Sequence, residues 1–81
     1  MATYKIKRAK HVTNKWTQYT VYRGREKAAV GRIHENGTMY VAWCIDHFNH
    51  PRHNEITYRI YEYMNEYRLF GSPERTVLVE D

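Results

Sequence analysis

The sequence predicts an α+β domain: a small antiparallel meander of four to five strands, one face covered by a single C-terminal helix, in the order β-β-β-β-α-β. Three observations carry this. The first half of the chain alternates side chains with a period of two, Asn36-Gly37 marks a hairpin, and Glu55–Phe70 runs 16 residues without Gly or Pro.

In Thr3–Lys10, Tyr4, Ile6 and Arg8 alternate with Lys5 and Lys7. A strand sends those two sets to opposite faces. In Trp16–Arg23, Thr17, Tyr19 and Val21 alternate in the same way with Trp16, Gln18, Thr20 and Tyr22. Arg23-Gly24-Arg25-Glu26 reads as a turn into a third strand, Lys27–His34. Asn-Gly tolerates the positive φ that both central positions of a type I′ turn require, so Asn36-Gly37 predicts that turn. Thr38–Ile45 then returns with Met39, Val41, Trp43 and Ile45 on one face and Tyr40, Ala42 and Cys44 on the other. Asp46–Asn54, with Pro51, two Asn and three His, reads as a connecting loop. Beyond it Ile56, Ile60, Tyr63, Met64, Tyr67 and Phe70 fall at helical spacing. Asn54 is placed to cap that helix, and Gly71 and Pro73 suit its end. Thr76–Val79 fits a last strand at the sheet edge. Ile60, Met64 and Trp43 are expected to be buried between helix and sheet.

A chain of 81 residues supports one domain, 1–81, with one core. Such a domain buries about 60% of the surface its unfolded chain exposes, so a shallow surface site is expected rather than a deep cavity. Cys44 is the only cysteine, which rules out an internal disulfide. No stretch approaches the roughly 20 apolar residues that span a bilayer, and residues 1–10 hold no apolar run of a signal sequence. A cytoplasmic protein without a membrane partner is expected, or a nuclear one in a eukaryote.

Charge is divided unevenly along the chain. Residues 1–34 hold nine Lys and Arg against Glu26, a balance of +8, whereas residues 35–81 hold four Arg against eight acids, a balance of −4. A basic half interleaved with aromatic residues suits a polyanion. Lys5, Lys7, Arg8, Lys15, Arg23, Arg25, Lys27 and Arg32 are the candidate phosphate contacts. Trp16, Tyr19, Tyr22, Tyr40 and Trp43 offer flat rings on which bases could stack, and Tyr40, turned away from the helix, is the candidate platform. The helix carries Glu55, Glu62 and Glu66 against Arg59 and Arg68, so a DNA major groove would repel it. RNA or another single strand, bound on an open sheet face, is the expected partner. Gly37-Thr38-Met39-Tyr40-Val41-Ala42-Trp43 faintly resembles the strand motif of RNA-recognition domains through Gly37, Tyr40, Val41 and Trp43. The leading basic residue and the preceding helix of those domains are missing here.

A second class of function fits the same composition: a protein-binding module, such as a small phage or mobile-element inhibitor or accessory protein acting on a host protein or nucleoprotein. Tyr and Arg dominate binding hot spots, and the chain has eight of each. Arg59, Glu62 and Glu66 would then form the contact surface.

Neither metal chemistry nor catalysis is expected. Cys44, His47, His50 and His53 are zinc-ligand types at equal spacing, but four ligands within ten residues must fold back on themselves around Pro51. Asp46-His47-Phe48-Asn49, followed by Asn54, loosely resembles part of the metal-bound hairpin of HNH nucleases. The histidine that such a family carries on the following helix is absent from Glu55–Phe70. No glycine-rich phosphate loop and no oriented nucleophile pair is present, and no cofactor is expected.

Overall fold

The computed structural model describes residues 3–8, 15–67 and 74–79. Strands β1 (Thr3–Arg8), β2 (Trp16–Arg23), β3 (Glu26–His34) and β4 (Met39–Trp43) are followed by α1 (His53–Tyr67) and β5 (Arg75–Val79). They form one five-stranded sheet ordered β4-β3-β2-β1-β5, with every neighbouring pair antiparallel. The expected meander is therefore present, and β5 returns after the helix to pair with β1. Lys10 at the end of the first predicted strand, and the helix end at Phe70, Gly71 and Pro73, lie outside the described residues. No described helix is long and apolar enough to cross a membrane.

Cross-strand register sorts the side chains into two faces. Ile6 pairs with Val21, Val21 with Ala29, Tyr19 with Gly31, and Gly31 with Val41. Directly opposed residues of an antiparallel pair share a face, so these residues form one continuous apolar surface. Tyr4, Ile6, Tyr19, Val21, Ala29 and Ile33 are buried there beneath Ile56, Ile60, Tyr63 and Met64 of α1. The helical spacing of those four residues is what turns them together onto the sheet.

Gly31 leaves room for a side chain of the helix. A Cβ built there would stand 2.5 Å from Met64 Sδ and 3.7 Å from Ile60 Cγ2. A glycine weakens a strand interior, and here its missing side chain is the space that Met64 occupies.

A second irregularity shapes the other face. The register of β2 and β3 shifts between Val21 and Tyr22, which pair with Ala29 and Lys27. The extra residue, Ala28, is buried, and its carbonyl accepts the Cys44 N–H at 2.7 Å. Without this bulge Ala28 would oppose Tyr22, and Lys27 would turn under the helix. With it, Lys27 stands beside Tyr22 on the uncovered face.

The turns follow local chemistry. Gly24 takes φ 63° at the first position of the two-residue β2–β3 loop, the type II′ pattern, and donates its N–H to Thr3 O at 2.9 Å. The type I′ turn expected at Asn36-Gly37 is not what forms, since Gly37 has positive φ (96°) and Asn36 does not. The loop is instead three residues long between His34 and Thr38, closed by Gly37 N–H to His34 O at 2.9 Å. Asn36 Oδ1 accepts the Thr38 N–H at 2.9 Å, a side-chain turn that holds Asn36 out of the left-handed region.

The helix begins two residues before the expected Glu55, and Asn54 lies inside it rather than capping it. His50 takes over part of that role: its Nδ1 accepts the Arg52 N–H at 3.0 Å. Arg52 then grips Glu55 of the first turn through two hydrogen bonds of 2.7 and 2.9 Å, and Arg59 adds a third at 3.3 Å. The Arg52 bonds, above all, hold the Glu55 carboxyl below the usual carboxylate range. Ile60 and Met64 are buried as expected, but Trp43 is only half-buried, because β4 is the sheet edge and α1 does not reach past it.

Two substitutions test this packing. Ile60→Ala should cost about 2–5 kcal/mol in urea unfolding, and a change under about half a kcal/mol would mean that α1 is not docked through this face. Gly31→Ala should change stability by no more than about 1 kcal/mol, because the flexible end of Met64 can give way, and any cost should vanish in a Met64→Ala background. A larger cost that persists without Met64 would show that something other than the thioether limits the space above Gly31.

Candidate nucleic-acid interface and the buried histidine cluster

The face of the sheet away from α1 is built from the alternate residues of the same strands. Lys5 pairs with Tyr22, and Tyr22 with Lys27; Lys7 pairs with Thr20, and Thr20 with Val30; Gln18 pairs with Arg32, and Arg32 with Tyr40. Each run of pairs is a row across the sheet, and successive rows lie about 6.8 Å apart along the strands. A row of small residues, Thr20, Val30 and Ala42, separates two ends where cations meet aromatic rings. At one end Tyr22 (36% exposed) stands between Lys5 and Lys27. At the other, Tyr40 (42% exposed) lies beside Arg32, with Trp16 edge-on to Tyr40 at 5.7 Å and to His34 at 4.9 Å.

Among the described residues, no acidic side chain stands at a strand position of this face. Glu74, just before β5, reaches its margin and lies 3.6 Å from Lys5 Nζ. Lys7 and Lys27 are exposed and form no ion pair with a described residue. Arg32 Nε donates to Gln18 Oε1 at 2.9 Å, tying it to its cross-strand neighbour.

The structure thus brings Lys5, Lys7, Lys27, Arg32 and Tyr40 onto one surface together with the expected rings of Tyr22 and Trp16, whereas Tyr19 is buried in the core and Trp43 packs against it. Lys15 and Arg25 sit in turns at opposite ends of the strands. Lys15 takes a positive φ (69°) and lies 3.4 Å from Glu35. Arg8 and Arg23 are not on this surface. Their registers, Arg8 with Tyr19 and Arg23 with Tyr4, turn both toward the helix side. Arg23 lies over the Tyr4 ring at 5.9 Å. Burial pushes the Tyr19 phenol up, and the neighbouring Arg8 charge opposes that shift. Arg59, Glu62 and Glu66 belong to the outer side of α1, where Arg59 is engaged by Glu55. The facing of Arg8 was legible from its alternation with Lys7; the facing of Lys27 was not, because nothing in the residues announces the bulge.

The histidine loop forms a different construction. Cys44 is exposed and apart, while His47 is 2% exposed. The His47 ring is sandwiched between Trp43 at 4.1 Å and His50 at 4.6 Å, with interplanar angles of 3° and 8°. Its Nε2 lies 2.8 Å from Tyr4 Oη, and its Nδ1 lies 2.8 Å from His53 Nδ1. Each contact needs one proton, so in a neutral imidazole a proton on one ring nitrogen leaves the other to accept. Trp43 Nε1 donates to Thr57 Oγ1 at 3.1 Å, and Thr57 Oγ1 donates to His53 O at 2.8 Å. The loop is thereby fastened both to β1 and to the first turn of α1. Among the described residues no group of three or more His, Cys, Asp or Glu is arranged to hold a metal ion.

Removing the Tyr4 hydroxyl tests that fastening. Tyr4→Phe deletes the hydroxyl that meets His47 Nε2 in a buried site and should lower stability by about 1–3 kcal/mol. The penalty should shrink when His47 is replaced by Phe in the same chain. Urea unfolding of the two single variants and the double variant measures the coupling, and strict additivity would show that the two side chains do not act as a pair.

No protein-family model, curated protein or solved structure matches this chain.

Proposed function

We propose that the protein binds single-stranded nucleic acid, RNA in the first instance, across the open face of its sheet. The observation that carries this reading is the composition of that face: Lys5, Lys7, Lys27 and Arg32 interleaved with the exposed rings of Tyr22 and Tyr40, and, among the described residues, no acid at a strand position. Cations attract the phosphate backbone whatever its sequence, and flat rings accept unpaired bases. Both are within reach of one strand of nucleic acid because the rows alternate them.

Charge placement favours this geometry over a duplex groove. The outer side of α1 bears Glu62 and Glu66, and its first turn bears Glu55. A polyanion approaching the molecule is repelled by the helix and drawn to the opposite face, so the domain presents one side. The face is open and shallow, which suits a flexible strand whose bases can splay against a sheet.

A salt series with single-stranded RNA, single-stranded DNA and duplex tests the reading. The combined Lys7→Glu and Lys27→Glu variant should weaken binding to all single strands alike. It should also flatten the slope of log affinity against log salt by about 0.7 for each phosphate that is no longer neutralised. Tyr22→Ala and Tyr40→Ala should each remove about 1–3 kcal/mol per stacked base while leaving the slope in place. If the wild type binds no single strand more tightly than non-specific levels near physiological salt, the proposal falls. Loss of a captured protein on substituting Arg59, Glu62 or Glu66 would then assign the protein-binding function instead.

A further inference from the structure

The backbone of β4 poses a question separate from the open face. Cys44 N–H donates to Ala28 O, and His34 N–H to Thr38 O, both at 2.7 Å. With Val30 opposite Ala42 and Arg32 opposite Tyr40, these contacts fix which residues of β4 bond inward to β3: the even-numbered ones. The N–H and C=O groups of Met39, Val41 and Trp43 therefore point out from the edge of the sheet. Strand β4 has β3 on one side, and no described strand lies on the other.

Sheet edges of this kind are ordinarily blunted by a charge, a proline or a bulge. Met39-Tyr40-Val41-Ala42-Trp43 has neither charge nor proline, and its register with β3 is unbroken. A second, independent observation lies on the helix side of the same strand. Met39, Val41 and Trp43 pack against the core but are only partly buried, so the apolar layer stops incomplete at this edge.

We propose that β4 pairs antiparallel with β4 of a second copy of the chain, about a two-fold axis through Val41. The occupant is identified by self-complementarity. Centring on Val41 uses all five residues and sets Met39 against Trp43 of the second copy and Tyr40 against Ala42 of the second copy, large beside small. No like charges meet. The outward-pointing residues Met39, Val41 and Trp43 become the hydrogen-bonded pairs, and the partly buried apolar row of one copy is continued by that of the other. Opposed residues of an antiparallel pair share a face, so the axis stands perpendicular to the sheet. Two five-stranded sheets then become one of ten, with both helices on one side and both open faces on the other. This pairing holds whatever the open face binds.

The test is the solution mass of the intact chain by sedimentation equilibrium, from micromolar to millimolar concentration, with two variants. The wild type should approach twice the 9.9 kDa chain mass as concentration rises. Val41→Pro removes an N–H that points only toward the second copy, so it should weaken association by about tenfold or more. Its helical circular dichroism should be retained. Thr38→Cys supplies the sharper measurement, because Thr38 falls opposite Cys44 of the second copy at a non-hydrogen-bonded pair. Such a pair has its Cα atoms about 4.5 Å apart, within disulfide reach. Within one chain the same residues lie at opposite ends of β4, about 20 Å apart, and cannot be joined. Oxidation of Thr38→Cys should give a covalent dimer whose linking peptide joins residues 38 and 44. A monomeric mass throughout overturns the proposal, as does open-ended growth without a two-fold limit. So does a dimer that survives Val41→Pro and fails to form the 38–44 disulfide.

Discussion

The closed face of the sheet is packed around the contact between Met64 and the bare backbone of Gly31. A strand residue without a side chain leaves room beneath a helix, and in β3 that place is Gly31, where a Cβ would stand 2.5 Å from Sδ at the flexible end of Met64. Around this point the larger residues Tyr4, Ile6, Tyr19, Val21 and Ile33 close the layer, and Ile56 and Ile60 settle between them. The opposite face offers no such place. Burying Lys5, Lys7, Lys27 and Arg32 beneath a helix would strip each cation of water, at a cost that packing at this scale does not offset. One side of the sheet is therefore closed and the other open, and that asymmetry decides which surface is left to meet a partner.

A second constraint holds the chain where sheet becomes helix. Loops are normally kept at the surface because their polar groups need water, yet His47 is buried within one. It is tolerated because both of its ring nitrogens have partners, Tyr4 on β1 and His53 on α1. The ring faces are covered as well, by Trp43 and His50. The short links from His50 N–H to His47 O and from His53 N–H to His50 O, each 3.0 Å, then carry the chain into the helix in successive tight turns. The equal spacing of these histidines, which in sequence suggests ligands, is in space the repeat of those turns. It stacks the rings of His47 and His50 and leaves Cys44 outside.

The elements most legible in the sequence were those whose side chains repeat. Period two placed β1 to β4, and helical spacing placed Ile56, Ile60, Tyr63 and Met64 on one face of α1. What escaped was set by single interactions. The Asn36 side chain bonds to Thr38 N–H and thereby favours a three-residue loop over the type I′ turn that Asn-Gly suggests. The Ala28 bulge reverses the facing of Lys27 with no residue to signal it. Trp43 reads as core from its alternation, but its strand is the sheet edge, and edge position is a property of topology that no local pattern carries. For the candidate site, the alternation of Arg8 with Lys7 already put it on the opposite face, yet its charge kept it among the expected contacts until the register with Tyr19 turned it toward the helix side. The bringing together of Tyr22, Trp16 and Tyr40 with the cations needed the register of four strands at once.

The alternation of cations and rings on the open face also has a structural cause, and it bears on how strongly the face points to a ligand. Like charges directly opposed across strands destabilise a sheet, and here no cation opposes another: Lys5 faces Tyr22, Lys7 faces Thr20, and Arg32 lies between Gln18 and Tyr40. A sheet that carries this much positive charge on one side has to interleave it with neutral residues simply to fold. Interleaving by itself would be met by threonine or glutamine at every such position, as Thr20 and Gln18 meet it. Tyrosine suits a pleated strand, and Trp16 packs edge-on against Tyr40, but sheet stability does not call for acids to be absent, among the described residues, where one would have neutralised Lys7 or Lys27. That absence and the exposed rings, rather than net charge, are what the proposed binding of a polyanion rests on.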